Sequence, residues 1–362
     1  MNICIIGDGL TSLSLAKNLI NKKINVHIYQ EKKIKISQNR TIGISRSNFE
    51  FFEREIQKIR NKQKIKKIEI YSEKLNNSKI INFEESKQSL FFMIKNNELY
   101  KKLNNQLIKS KFFKRKKIKN DGFYKKLLIK NKYDLIINCL PKNFIAKKYF
   151  FKTINKDYNN LAYTTVIKHA KLENDTAIQV FTKNGPIAFL PISNFETSVV
   201  YSLDLKKNNF NNKEILNLIK KYNPKFIIKK ISKLENFELK SSNLRHYYYK
   251  NITAFGDCLH KIHPLAGQGF NMTIRDIKVI SSIIQSRIEL GIQLDSKILD
   301  EFEKKTKHIN FVFSSGVDSI FEFFNFDKKI KNQNLSKALK IIGKNKMLNN
   351  IFIKYADRGL NI

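Results

Sequence analysis

The sequence predicts an α/β fold, and three observations carry the prediction. The chain opens on "NICIIGDGLTSLSLAKNLINKKINVHIYQE", an apolar run, a glycine turn, an amphipathic stretch and a second apolar run. Residues 254–276 read "AFGDCLHKIHPLAGQGFNMTIRD", a dense glycine, histidine and proline block behind an apolar segment. The last part of the chain is amphipathic, with aromatic residues at 311–326 and a basic apolar segment, "SKALKIIGKNKMLNNIFIKYADRGL", over 336–360. A chain of 362 residues with 42% hydrophobic content has the length for two domains and the apolar residues for a substantial core.

The opening stretch supplies the first elements. Ile3 to Ile6 predict a short buried strand, Gly7-Asp8-Gly9 a tight turn, and Val26 to Tyr29 a second strand. Between them Leu10, Leu13, Leu15, Leu19 and Ile20 follow helical spacing. A Gly-x-Gly turn placed between strand and helix has a physical use. Gly7 permits the turn, and Gly9 lets a pyrophosphate approach the backbone at the helix N-terminus. Ser12 stands where such fingerprints carry a third glycine, and it is small enough for close helix–strand packing. Gln30 or Glu31 is placed to meet a ribose hydroxyl, and Glu31 is preferred for its charge. The rival interpretation is an ordinary βαβ unit with a glycine turn.

Charge excludes less than its size suggests. Lys plus Arg is 69 and Asp plus Glu is 31, a net charge of +38, yet only nine of the 69 are arginine. The lysines are spread over nearly the whole chain among many Asn and Ile, and there is no Trp. That pattern fits compositional drift better than a phosphate-reading surface built from arginine forks, so nucleic acid is not expected as a partner. Attraction to an anionic membrane surface stays open. Cys4, Cys139 and Cys258 lie far apart with no Cys-x-x-Cys pair, which argues against a disulfide framework and a thiolate metal site. The chain shows no signal-peptide pattern and no apolar run approaching a membrane span, so a cytoplasmic location is expected, with peripheral contact on the inner face of the membrane.

The two glycine-rich stretches together resemble the flavoprotein aromatic hydroxylases with the p-hydroxybenzoate hydroxylase fold, the ubiquinone-biosynthesis hydroxylases above all. The residues that fit the second block of that family are Gly256, Asp257, His260, His263, Pro264, Ala266, Gly267, Gln268, Gly269 and Asn271. "NRTIGISRSNFEFF", with Arg40 and Ser45, is similar to its arginine-centred segment, and "AIQVFTKNGPIAFLPISNFETSVVYSL" to a segment of its substrate domain.

The resemblance implies a cofactor, FAD, reduced by NADPH or NADH. It implies FAD contacts from Gly7, Gly9, Leu10, Ser12, Glu31, Arg40, Gly256, Asp257, Pro264, Gly267, Gln268, Gly269, Phe270 and Asn271. Asp257 would accept a hydrogen bond from a ribityl hydroxyl. The turn from Leu265 to Gly269 would run against the isoalloxazine ring, with the following helix pointing its positive end at the pyrimidine edge. His260 and His263 would shape this turn. No carboxylate or cysteine cluster completes a metal site around them, so no metal is expected. No residue announces itself as the catalytic base, and the catalytic residues are unknown.

The implied architecture is an α/β flavin-binding, Rossmann-like domain with a parallel sheet, interrupted by a mixed β-sheet substrate domain and followed by C-terminal helices. The flavin domain would take residues 1–70, 96–150 and 246–290, the substrate domain 71–95 and 151–245, and the helical region 291–362. The implied reaction is hydroxylation of the ring of a polyprenylated phenol by O2 through a flavin C4a-hydroperoxide, in ubiquinone biosynthesis. One departure bears on this. The family's Asp-Gly segment is absent, because the strand "YDLIINC" runs into Leu140-Pro141-Lys142-Asn143. Two alternatives therefore stand: a non-catalytic flavin-site relative acting as a subunit of a ubiquinone-biosynthesis protein assembly, or another flavin oxidoreductase on the same fold. The basic C-terminal segment is either a packed cap or a helix that lies on a membrane surface.

Overall fold

A computed structural model of the chain describes every residue except 32–35, 86–87, 119, 121, 130–131, 205–209, 264–266, 330–339, 342, 344 and 360–362, and the side chains of 324, 325, 327–329 and 346. The molecule is α/β, as the sequence predicts. Its first sheet places five parallel strands side by side in the order Ile252–Ala254, Leu135–Asn138, Asn2–Ile6, Asn25–Gln30 and Phe113–Lys117. The two-residue strand Tyr248–Tyr249 adds an antiparallel edge.

The central strands are near-continuous apolar runs because both faces are covered, as parallel sheets require. Ile3, Cys4, Ile5 and Ile6 are all fully buried, and so is every residue from Leu135 to Asn138. Helix Leu10–Asn21 covers the sheet with Leu13, Leu15, Ala16, Leu19 and Ile20, and it packs on helix Asn96–Ile108 through the same core. The buried core also takes in Ile274, Ile277, Ile280 and Ile284 of helix Gly269–Glu289.

The second sheet is mixed. Its order is His260–Lys261, Glu235–Leu244, Thr153–His169, Glu196–Asp204, Gly185–Ser193, Thr176–Thr182, Lys67–Ser72 and Ser78–Glu84, with Ile228–Ile231 paired to Thr153–His169. All pairings are antiparallel except Thr176–Thr182 with Lys67–Ser72. One face carries Ile178, Ile187, Phe189, Val199 and Tyr201, which pack on Ile215 and Ile219 of helix Asn212–Lys221. That helix starts with a complete capping box between Asn211 and Glu214. A small sheet, Thr41–Ser45, Phe91–Lys95 and Gln63–Ile65, sits between the two large ones.

Two features join the sheets. Lys261 and His260 pair with Ser242 and Asn243, so the 254–276 block is hydrogen-bonded into the second sheet while its preceding strand belongs to the first. Helix Ser296–Lys329 runs along both: Phe302 lies in the first core, Phe313 and Val317 meet Ile262 and Met272, and Phe321 packs on Tyr158, Ala162 and Leu239. Of the aromatic residues in 311–326, Phe313 and Phe321 are buried, whereas Phe311 is 45% exposed and the side chain of Phe324 lies outside the described residues. Among the described residues no helix is long and apolar enough to cross a membrane.

Candidate functional site

Parallel pairing puts the carboxyl ends of the strands at one edge, where α/β sheets bind ligands. Ile6 lies opposite both Tyr29 and Asn138, and Asn138 lies opposite Ala254. The glycine turn and the Gly256–Asp257 turn therefore leave neighbouring positions on the same edge. The glycines there divide into two kinds. Gly7 has φ +120°, donates its N–H to Tyr29 O at 2.9 Å, and would set a Cβ 3.1 Å from Ser12 Oγ and 3.3 Å from Cys139 Cβ. Gly256 has φ +60° and would drive a Cβ to 2.5 Å from Thr11 Cγ2. Both serve close packing on the first turn of helix Leu10–Asn21, where Ser12 is fully buried and Leu10 partly so. Gly9 and Gly267 are different: a Cβ on either would meet nothing within 4 Å.

Gly9 is the N-cap of its helix, extended at φ −82° and ψ 178°, with no side-chain cap and no acidic residue in the first turn. The first N–H groups of that helix lack a side-chain acceptor and carry the positive end of the dipole. Helix Gly269–Glu289 begins the same way, behind Gln268 with no side-chain cap and no acid in its first turn. Gln268 is buried, and its Oε1 has no partner among the described residues. Pro264, Leu265 and Ala266 lie outside the described residues. Asp257 is exposed between these two helix starts, in the turn Gly256–Cys258. Burial, with a smaller push from the nearby Asp257 carboxylate, raises the Cys139 thiol to about 12.

An acid in a glycine turn at a helix N-terminus would repel an anion there, and the fold turns it away. Asp8 is turned inward and only 4% exposed. Tyr100 Oη donates to its Oδ2 at 3.1 Å, and Arg115 Nη2 lies 3.1 Å from its Oδ1. Burial pushes this carboxyl up from its ordinary value, and Arg115 and Tyr100 pull it partly back. Sequence reading missed this pair. Its signal was a single arginine in the lysine-rich run "FFKRKK".

Other expected contacts are placed less simply. Glu31, just past strand Asn25–Gln30, is exposed, and its carboxylate accepts a hydrogen bond from the buried Tyr124 hydroxyl. The guanidinium of Arg40 lies over the Phe237 ring at 4.7 Å, above the second sheet. Phe270 turns its ring into the core beside Phe52. Asn271 is 1% exposed and works as a cross-tie: its Oδ1 accepts from Ser45 N at 2.9 Å, and its Nδ2 donates to Gly43 O at 2.9 Å. Ser45 and Ser47 hydroxyls donate in turn to Asp357 O, and Ser47 N donates to Asp357 Oδ1, which docks helix Lys346–Arg358.

The segment that lacks Asp-Gly is closed by two buried asparagines. Asn143 Nδ2 donates to Asn138 Oδ1 at 2.7 Å, Asn138 Nδ2 donates to Leu140 O, and Asn143 caps helix Phe144–Tyr149.

The histidines divide as well. His260 Nε2 lies 2.5 Å from Asp276 Oδ2, both side chains are 1% exposed, and Asn310 Nδ2 donates to Asp276 Oδ1. His263 stands edge-on to Tyr158 at 4.8 Å and against Phe321 at 4.3 Å. Burial, then Lys156, lowers His263 to about 4. Tyr158 donates to Asp318, and burial followed by that carboxylate raises its phenol above the ordinary value. No group of His, Cys, Asp and Glu among the described residues forms a metal-binding cluster.

Residues 151–309 match the FAD binding domain family. "Ubiquinone biosynthesis monooxygenase COQ6, mitochondrial" of Dictyostelium discoideum is 26% identical over 241 residues, 52% of this chain and 49% of that protein. The 3-demethoxyubiquinol 3-hydroxylase of Escherichia coli is 29% identical over 157 residues, 41% of this chain and 40% of that protein. The matches thus span half or less of these relatives' length. Among solved structures, p-nitrophenol 4-monooxygenase PnpA from Pseudomonas putida superposes with a TM-score of 0.75 at 12% identity, covering 99% of this chain and 98% of that one. HpxO from Klebsiella pneumoniae, complexed with FAD and uric acid, gives 0.72 at 12% identity, covering 98% and 96%. At such identity the likeness is one of fold.

Two outcomes follow from this geometry. Gly256→Ala, forced to positive φ against Thr11, should destabilise the apoprotein by more than about 1 kcal/mol. Gly9→Ala should leave apoprotein stability within about 0.5 kcal/mol and weaken FAD retention. Thermal melts of apoprotein and FAD titration by fluorescence check both. A further outcome concerns His263. Its folded-state value lies below its ordinary one, so unfolding takes up a proton as pH falls. Stability should decline from about pH 6.5 to 4 by up to about 1.4 kcal/mol per pH unit. Denaturant midpoints across that range should show the slope in the parent and a flatter one in His263→Gln.

Proposed function

We propose that the chain is an FAD-dependent monooxygenase that hydroxylates the aromatic ring of a polyprenylated phenol in ubiquinone biosynthesis, using O2 and NADH or NADPH; the match to the FAD binding domain family and the likeness to ubiquinone-biosynthesis hydroxylases support this. The observation that carries this is the pair of uncapped helix N-termini, at Gly9 and at Gly267–Gly269, with the exposed Asp257 between them.

The residues present fit FAD. Gly9 and Leu10 offer open backbone donors for the pyrophosphate, and the withdrawal of Asp8 removes a repelling charge. Asp257 supplies an acceptor for a ribityl hydroxyl. The N–H groups from Gly267 to Gly269 are available to the electron-rich edge of the ring system, where a positive helix end stabilises added negative charge. Glu31, oriented by Tyr124, is assigned to the adenosine ribose, and Arg40, resting on Phe237, to the flavin side of the second sheet. Bound FAD supplies oxygen transfer to an electron-rich ring. The protein's part is to bind, orient and keep out water, and the apolar wall of Tyr158, Phe321 and Phe237 beside His263 serves that last task.

The test is direct. Purified protein should carry FAD without a covalent link. Asp257→Ala should lose FAD affinity by about tenfold or more, since a charged hydrogen-bond acceptor disappears while no core is emptied. NAD(P)H oxidation should rise with a prenylated phenol and yield a hydroxylated product. A parent protein that stays colourless in excess FAD, or equal FAD affinity in Asp257→Ala, would overturn the reading.

A substrate this apolar has to be collected at a membrane, and one surface of the chain favours peripheral attachment. Helix Lys346–Arg358 is docked through Asp357, as a cap would be. Its outer face nevertheless exposes Met347, Leu348, Ile351 and Phe352 by 73%, 36%, 47% and 48%. The net charge of +38 adds attraction to anionic lipid. Replacing Leu348, Ile351 and Phe352 together with Gln should leave the melting temperature unchanged and weaken flotation with anionic vesicles. Unchanged flotation would leave the helix as a cap only.

A further inference from the structure

We propose that the cavity beside the edge hairpin Tyr248–Tyr249 is a second binding site, for a nucleoside phosphate. The cavity measures about 690 Å³. It opens around the turn that precedes strand Ile252–Ala254, whereas Gly256 and Asp257 follow that strand. It therefore lies at the opposite end of the sheet from the glycine turns.

Two properties select the ligand. The first is an aromatic platform. Tyr149 and Tyr249 stack with centroids 4.5 Å apart and planes 15° from parallel. Tyr249 is 43% exposed, and Phe151, also in the lining, is 63% exposed. The aromatic surface that stays exposed in this concavity, most of it on Phe151 and Tyr249, offers contact to a nucleobase.

The second property is unpaired positive charge. Lys148, Lys152 and Lys250 line the cavity and are exposed. Lys148 and Lys250 lie over the Tyr149 and Tyr249 rings at 5.4 and 5.7 Å. Among the described residues none of these three lysines forms an ion pair. The carboxylates in the lining are already engaged: Asp300 by Lys304 at 2.6 Å, and Glu303 by Lys307 at 2.7 Å and Tyr247 N at 2.9 Å. Lys250 also holds φ +51°, a conformation that a non-glycine residue adopts at a cost and that sets the tip of the hairpin. A lysine-rich composition supplies cations everywhere. It does not supply stacked aromatic planes in a concavity whose acids are occupied.

The proposal is tested on FAD-loaded protein, so that added nucleotide does not enter the flavin's adenosine site. AMP, adenosine and inorganic phosphate are titrated by calorimetry and saturation-transfer NMR. AMP should bind at least about tenfold tighter than adenosine or phosphate, because it alone uses both the platform and the cations. Tyr249→Ser and Lys250→Gln should each weaken AMP by about fivefold or more, and Lys109→Gln, an exposed lysine elsewhere, should not. Melting curves check folding. Where Tyr249→Ser does not fold, the double variant Lys148→Gln, Lys152→Gln takes its place. Absence of AMP binding, AMP no tighter than phosphate, or AMP binding unchanged in the cavity variants would overturn the proposal.

Discussion

Two helices that begin without a side-chain cap at one edge of a sheet set the terms for the rest of this structure. An uncapped start forgoes about 1 kcal/mol of stability and leaves backbone donors without protein acceptors. A Cβ added at Gly9, or at Gly267 just before the second helix, would meet nothing within 4 Å. Asn211 opens a helix on the second sheet with a full capping box, whereas helices Arg46–Glu55 and Asn96–Ile108 also begin without a side-chain cap, so it is the place of these two starts at the carboxyl edge of the parallel sheet that sets them apart. Such an edge suits the anionic, extended cofactor proposed for it, and its cost is met by contacts behind it.

Those contacts are buried polar ties. Asp276 is held by His260 and Asn310, which anchors helix Gly269–Glu289 to the long helix behind it. Asn271 fastens the first turn of that helix to Gly43 and Ser45. Asp8 is locked against Arg115 and Tyr100 beneath the first turn. The Asp276 and Asn271 ties are each satisfied from several sides, which is the condition under which buried polar groups rigidify a site. The residues of the 254–276 block therefore split into those that face outward, such as Asp257 and Gly267, and those that hold the others still, such as His260 and Asn271.

The outward-facing residues were legible in the sequence, because glycine spacing between strand and helix has a local physical cause. The α/β class and the first strands were legible for the same reason. The ties were not. Asp8 with Arg115, Asn138 with Asn143 and Ser45 with Asp357 join residues whose pairing only the folded topology decides, and no periodicity reports it. Asn271 shows the limit well: its position was recognised, but its side chain points to the neighbouring strand. Arg40 shows it again, since its partner Phe237 comes from a distant strand of the other sheet. The C-terminal helix was open between cap and surface element because one of its faces is docked and the other exposed, and an amphipathic pattern alone does not say which face is covered.

The long helix Ser296–Lys329 has a dynamic consequence. With 34 residues at about 1.5 Å per residue it spans about 51 Å, and its successive turns pack first on the parallel sheet, then on the 254–276 block, then on the mixed sheet. A rod fastened at several points along its length does not bend sharply. Relative motion of the two sheets has to occur as small sliding of packed side chains along that rod, a shear movement, instead of rotation about a flexible joint. Opening of the space between the sheets is then limited to what the side-chain packing around Phe313, Val317 and Phe321 can absorb.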